Sequence, residues 1–110
     1  MESVLISIKK LLGIAEDYKC FDSEIIVHIN TAFMTLQQLG VGPEEGFSIT
    51  GEFDEWKSFL GDSKQLEAVK TYIYLKVRTL FDPPSSTAVL TSYENQIKEY
   101  EWRLNVQVDK

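Results

Sequence analysis

The chain has one cysteine, one histidine and three prolines in 110 residues. Its apolar runs are short and its basic residues few. Each scarcity excludes something. Cys20 alone cannot close an internal disulfide, which fits a reducing compartment. His28 has no second histidine at metal-ligand spacing, and no oxyanion motif accompanies Cys20, so a nucleophilic Cys20–His28 pair lacks its supporting parts. The six glycines are isolated and form neither GxGxxG nor GxxxxGKS, the loops that cradle phosphates. No segment approaches the roughly 18 apolar residues of a membrane span. The N-terminal apolar run stops at Ile6 without a basic lead-in, unlike a signal peptide. These features predict a soluble protein made in a cytoplasm, with no membrane contact.

Eleven Lys and Arg face 17 Asp and Glu, a formal net charge of −6. Affinity for a phosphate backbone rests on cations that displace counterions. Lys9-Lys10 is the only adjacent basic pair, which argues against tight DNA binding by the isolated chain. The deficit is concentrated between residues 44 and 62, where six acids (Glu44, Glu45, Glu52, Asp54, Glu55, Asp62) meet one base, Lys57. That stretch reads as a solvated acidic loop region. The paired acids Glu16-Asp17, Glu44-Glu45 and Asp54-Glu55 do not fit a calcium loop, and adjacent helical residues do not share a face. Nothing here supports an enzyme, a cofactor or a metal site.

What is present is ordinary globular material. Hydrophobic residues make up 44% and charged residues 25%, with enough aromatics (six Phe, five Tyr, two Trp) for one core. The length suits a single domain with a radius of gyration of roughly 13 Å. Val4, Leu5, Ile8, Leu11 and Leu12 recur at helical spacing, with Ser7, Lys9 and Lys10 opposite, so a short amphipathic helix is expected over 3–12, stopped by Gly13. A second helix, capped by Asp22, is predicted over 22–39 from Ile25, Ile29, Ala32, Phe33 and Leu36, with Gly40 closing it. Residues 41–61 break the pattern. Phe47-Ser48-Ile49-Thr50 alternates as in a small β-hairpin, and Asp54 is placed to cap a one-turn helix carrying Trp56, Phe59 and Leu60.

A third long helix is predicted over 63–81, with Asp62 and Gln65 as a capping box. Glu67, Lys70, Thr71, Tyr74 and Arg78 fill a polar arc, and apolar residues fill more than half the circumference, so this helix is central. Asp82-Pro83-Pro84 ends it. The last helix, from near Pro84 or Ser86 to about residue 105, carries a Leu90, Tyr93, Ile97, Tyr100, Leu104 seam. The fold class is therefore all-α: four principal helices in a bundle, with a short mixed insertion after the second.

Several residues break these patterns and mark candidate surfaces for self-association. Lys76 falls inside the apolar arc of the third helix, where a lysine must snorkel, pair or face another subunit. Tyr74 sits in that helix's polar arc, and Trp102 projects onto the charged face of the last helix. Val106 and Val108 alternate with polar residues, as in an extended C-terminal arm over 105–110 able to pair with another chain.

The first forty residues carry a resemblance. Ile8-Lys9-Lys10-Leu11-Leu12-Gly13-Ile14, an acidic linker, then Phe21-Asp22-Ser23-Glu24-Ile25-Ile26-Val27-His28-Ile29-Asn30-Thr31-Ala32 resemble the opening of the small head–tail connector (adaptor) proteins of tailed bacteriophages. Leu66 to Val77 is similar to that family's second long helix, and Leu80-Phe81-Asp82-Pro83-Pro84 to the break in one branch of it. The likeness spans the chain as one domain, 1–110, apart from 41–61. It implies a non-enzymatic virion protein at the head–tail junction, made in the bacterial host cytoplasm. Such a subunit forms a homo-oligomeric ring, of roughly 12 or 13 copies, beneath the portal protein. The ring extends a channel that DNA traverses without specific binding, and it offers a docking surface to the next connector or tail protein. The residues taken without the resemblance also suit a small cytosolic helical protein-binding or regulatory module.

Overall fold

A computed structural model describes residues 3–60 and 65–108, and all but the side chains of Leu60, Gln107 and Val108 among them. Five helices appear in chain order: α1 Val4–Leu12, α2 Asp22–Gln38, α3 Trp56–Leu60, α4 Leu66–Phe81 and α5 Thr87–Val108. The all-α expectation holds. The expected hairpin at 47–50 does not form, and the described residues contain no strand, only one isolated bridge between Ser3 and Glu55. The radius of gyration is 13.6 Å, within a slab of 39 × 35 × 20 Å.

α4 is the centre. Val69, Tyr72, Ile73, Leu75 and Val77 are all buried, and α1, α2 and α5 each pack against this helix. α2 contributes Ile25, Ile29, Ala32, Phe33 and Leu36, the stripe read from its spacing. α5 contributes a single seam centred on Ile97 and Leu104, flanked by half-buried Leu90, Tyr93 and Tyr100. α4 ends at Phe81 before the Pro83-Pro84 pair, and α5 begins at Thr87, where the Ser86 hydroxyl accepts the Val89 N–H at 3.4 Å. The proposed Asp62 cap and the start of the helix at Ser63 lie outside the described residues.

The ends of α1 follow ordinary capping chemistry. The Ser3 hydroxyl accepts the Ile6 N–H at 3.3 Å. At the other end Gly13 adopts φ 81°, and the N–H groups of Gly13 and Ile14 return to the carbonyls of Lys10 and Lys9. α2 departs from expectation. Its cap position is Phe21, which has no side-chain acceptor, so Asp22 is the first helical residue and not the predicted cap, and its carboxylate turns to another partner.

Its partner is Lys9, placed on the polar side of α1 by spacing alone but only 1% exposed in the fold. The Lys9 Nζ donates to the carbonyls of Glu16 at 3.1 Å and Tyr18 at 2.8 Å, and lies 2.8 Å from Asp22 Oδ1. The two carbonyls take two of the three donors of the ammonium group, and the Asp22 carboxylate supplies its opposite charge at ion-pair distance. The arrangement ties the last turn of α1 to the 13–21 connection and to the first residue of α2.

The 41–61 segment is also not the solvated loop that its charge suggests. Glu44 and Glu45 are exposed, yet Val41, Ile49, Trp56 and Phe59 are buried, and Phe33, Phe47, Phe59 and Trp56 form one aromatic cluster with ring centroids 4.7 to 6.3 Å apart. In place of a β partner, the Asn30 side chain accepts the Ile49 N–H at 2.7 Å and donates to the Ile49 carbonyl at 3.0 Å. Gly42 has φ 91°, and a Cβ there would sit 2.3 Å from the Phe59 ring, so the tight turn requires glycine. Trp56 Nε1 donates to the Ser7 hydroxyl at 3.0 Å, and the Val4 N–H to the Asp54 carbonyl at 2.9 Å, which fastens the segment over α1.

Lys9→Ala is expected to lower the unfolding free energy by about 3 to 5 kcal/mol, since it strands the buried face of Asp22 and two carbonyls. Urea titration of Lys9→Ala, Asp22→Ala and the double variant checks this. The double variant should lose clearly less than the sum of the singles.

Candidate subunit interface

α5 has one buried side and one open side. At about 100° per residue, Ala88, Ser92, Asn95, Glu99, Trp102 and Val106 point away from the Ile97–Leu104 seam. Ala88, Ser92, Asn95, Glu99 and Trp102 are exposed and Val106 is half-buried. A shallow hollow of about 450 Å³ lies along the first half of this face. Trp102 is 66% exposed, as its position on the charged face predicted. Leaving so large an apolar ring in water forgoes a favourable burial term, at about 25 cal/mol per Å² of apolar surface.

The chain does not leave the helix near residue 105. α5 continues to Val108, so the alternating 104–108 run is helical and the predicted extended arm is not formed over 105–108. Its period-two pattern reflects a five-residue sample too short to outweigh continuation of an established helix. The Asn105 side chain donates to the Leu39 carbonyl at 3.2 Å, which anchors this end of α5 to the end of α2. The Val108 side chain lies outside the described residues.

Lys76 and Tyr74, selected with Trp102 from the sequence, have partners inside the chain. Lys76 is half-buried, its Nζ 3.9 Å from Glu101 Oε2 and 6.0 Å from the Tyr72 ring centroid. Tyr72 donates its hydroxyl to the same Glu101 oxygen at 2.7 Å. Burial first, and the Glu101 carboxylate second, push the Tyr72 phenol well above its ordinary value. The Tyr74 hydroxyl accepts from Arg78 Nη1 at 3.2 Å. Lys76 therefore snorkels to a carboxylate on α5, and this polar knot fixes the register of α4 against α5.

Two surfaces escaped the sequence reading. Phe53 is 88% exposed on the turn before α3. The turn is rigidly made: the Asp54 carboxylate accepts the N–H groups of Thr50 at 2.8 Å and Gly51 at 3.2 Å, and Glu52 pairs with Lys19 at 3.1 Å. On α2, Val27 and Met34 are exposed one above the other. By helical spacing Val27 and Met34 lie opposite the Ile25, Ile29, Ala32, Phe33 and Leu36 stripe, whereas Phe53 lies outside any helix and carries no such signal. Cys20 is exposed and His28 half-buried, and no group of three His, Cys, Asp or Glu suited to a metal occurs among the described residues. The described helices include none long and apolar enough to cross a membrane.

A family model described as phage connector protein matches residues 4–110. No curated protein and no solved structure matches the chain.

The Tyr72–Glu101–Lys76 knot gives a pH signature. A phenol held neutral in the fold, with its value raised above the ordinary 10.0, contributes stability that is complete below about pH 10 and is lost as pH rises beyond it. Tyr72→Phe should therefore lose stability less steeply than the parent above about pH 10, while being less stable at pH 7 by about 1 kcal/mol. Denaturant titrations at several alkaline pH values measure both.

Proposed function

The chain belongs to the phage connector protein family, and on that premise we propose that it is a structural subunit of the head–tail junction of a tailed phage. Copies assemble side by side into a ring beneath the portal protein, prolong the DNA channel and offer their far side to the next connector or tail protein. The work is done by shape and association, with no bond made or broken. The subunit is made in the bacterial host cytoplasm and ends in the virion.

The observation that carries this reading is the open face of α5, with Trp102 two-thirds exposed and Val106 one turn beyond it. Tryptophan is enriched at the energetic centres of protein interfaces, where it fills a desolvated pocket. Trp102 and Val106 are the subunit-facing residues in this proposal. Lys76 and Tyr74, which are satisfied within the chain, support the α4–α5 seam beneath that face. The net charge of −6 favours free passage of DNA, because like charge disfavours adhesion to the channel wall.

Sedimentation or light scattering at high concentration, with and without purified portal protein, tests the proposal. A ring-sized species in either condition supports it, whereas monomers that ignore the portal would favour a small helical binding module instead. Trp102→Ala should shift the melting temperature by no more than about 3 °C, because the ring is exposed, and should sharply reduce the assembled fraction. A large fall in melting temperature would instead assign Trp102 to the fold.

A further inference from the structure

A closed ring built from one kind of subunit needs two different surfaces that recognise each other. The α5 face supplies one. We propose that the other is the Phe53 turn, and that Phe53 of one copy docks against Trp102 on α5 of the next. This inference rests on the ring reading above and names its contact.

The two residues stand at opposite edges of the fold. The groove between α1 and α4 is lined on α4 by Glu67, Lys70 and Thr71, and the groove between α4 and α5 by Lys76, Thr79 and Leu80. By helical spacing these sets lie roughly 180° apart around α4. α1 and α5 both pack on α4 but not extensively on each other. Phe53 belongs to the α1 edge, beside Ser3 and Ile6, with the neighbouring Asp54 carbonyl bonded to the Val4 N–H. Trp102 belongs to the α5 edge. A head-to-tail contact between them repeats in one direction, whereas a contact of either residue with its own copy would stop at two chains.

Their surroundings are complementary. Phe53 shares its hollow with Glu16, Glu52 and Glu55. Trp102 is flanked one turn back by Lys98 and Glu99 and one residue on by Arg103, all exposed, with Arg103 paired to Glu99 at 3.5 Å. An acid-rimmed phenyl ring therefore meets an indole whose border carries Lys98 beyond the Arg103–Glu99 pair, a pattern that disfavours Phe53-to-Phe53 pairing. The Phe53 turn is also preorganised by the Asp54 hydrogen bonds, so docking it orders little further backbone.

Cross-linking of the full-length chain tests this with both anchors intact. In a Cys20→Ser background, one variant carries Gly51→Cys, where an added Cβ meets nothing within 4 Å, and another carries Glu99→Cys on the α5 face. Treated with a short bismaleimide at about millimolar concentration, each variant alone should stay uncrosslinked. Their mixture should give a 51–99 dimer, and the double-cysteine chain a ladder of multimers. Adding Phe53→Ala or Trp102→Ala should lower the yield about tenfold, and neither should change the circular dichroism spectrum. Dominant 51–51 or 99–99 products would overturn the proposal by showing a two-fold contact. Ring-sized particles without a 51–99 product would overturn it while leaving the ring reading standing. Absence of any assembly or product, at that concentration and with portal protein added, would remove both.

Discussion

α4 is apolar around more than half its circumference, and a 110-residue chain has only three other long elements with which to cover it. That constraint organises everything else. α1, α2 and α5 are each committed to α4 by one face, and none is left over to cover another's outer side. In a larger domain a second layer would close over α5. Here the helix runs 22 residues with a single buried seam, and most of its outward positions meet water. The exposed aromatic side chains are a consequence of this one-layer construction, and they concentrate at its edges.

A thin slab needs stiff corners if its edges are to present fixed surfaces, and the polar contacts sit at those corners. Lys9 joins α1, the connection and α2 through two hydrogen bonds to carbonyls and an ion pair with Asp22. Tyr72, Glu101 and Lys76 join α4 to α5. Asn30 and Asp54 give the 47–54 backbone the hydrogen bonds that a strand partner would otherwise supply. Buried groups of this kind add little net energy compared with apolar packing, but each is satisfied in only one arrangement, so together they specify the register between elements.

The parts legible in the sequence were those governed by periodicity. The core stripe of α2, the central role of α4, the Gly13 stop and the Pro83-Pro84 break all appear where spacing and backbone chemistry put them. Exposure of Trp102 was likewise visible as an aromatic on a charged face. The misses share a different origin. Lys9 was judged from one helix alone, yet what holds it comes from other segments, Asp22 and two linker carbonyls. For Lys76, by contrast, the spacing called for a partner such as a carboxylate, and Glu101 supplies it. The 41–61 segment was judged by its charge, although its acids and its aromatics alternate closely enough for one set to face water while the other enters the core. Phe53 escaped because a lone phenylalanine in such a segment reads as core until its neighbours are placed.

Charge and exposure together bear on how such a subunit stays soluble before it assembles. An exposed phenylalanine, an exposed tryptophan and a pair of exposed aliphatic residues on α2 would invite indiscriminate association in a neutral protein. A net charge of −6 spread over 110 residues opposes random encounters between copies. The repulsion is not uniform, however, because three acids rim Phe53, whereas Lys98, Glu99 and Arg103 surround Trp102 with acids and bases mixed. In the head-to-tail contact proposed above, the acidic turn meets that edge and covers apolar surface at a lower electrostatic cost than acid meeting acid. On that proposal the uneven charge that opposes association in general favours one orientation, and a contact favoured that way is directional, as a closed array of identical chains requires.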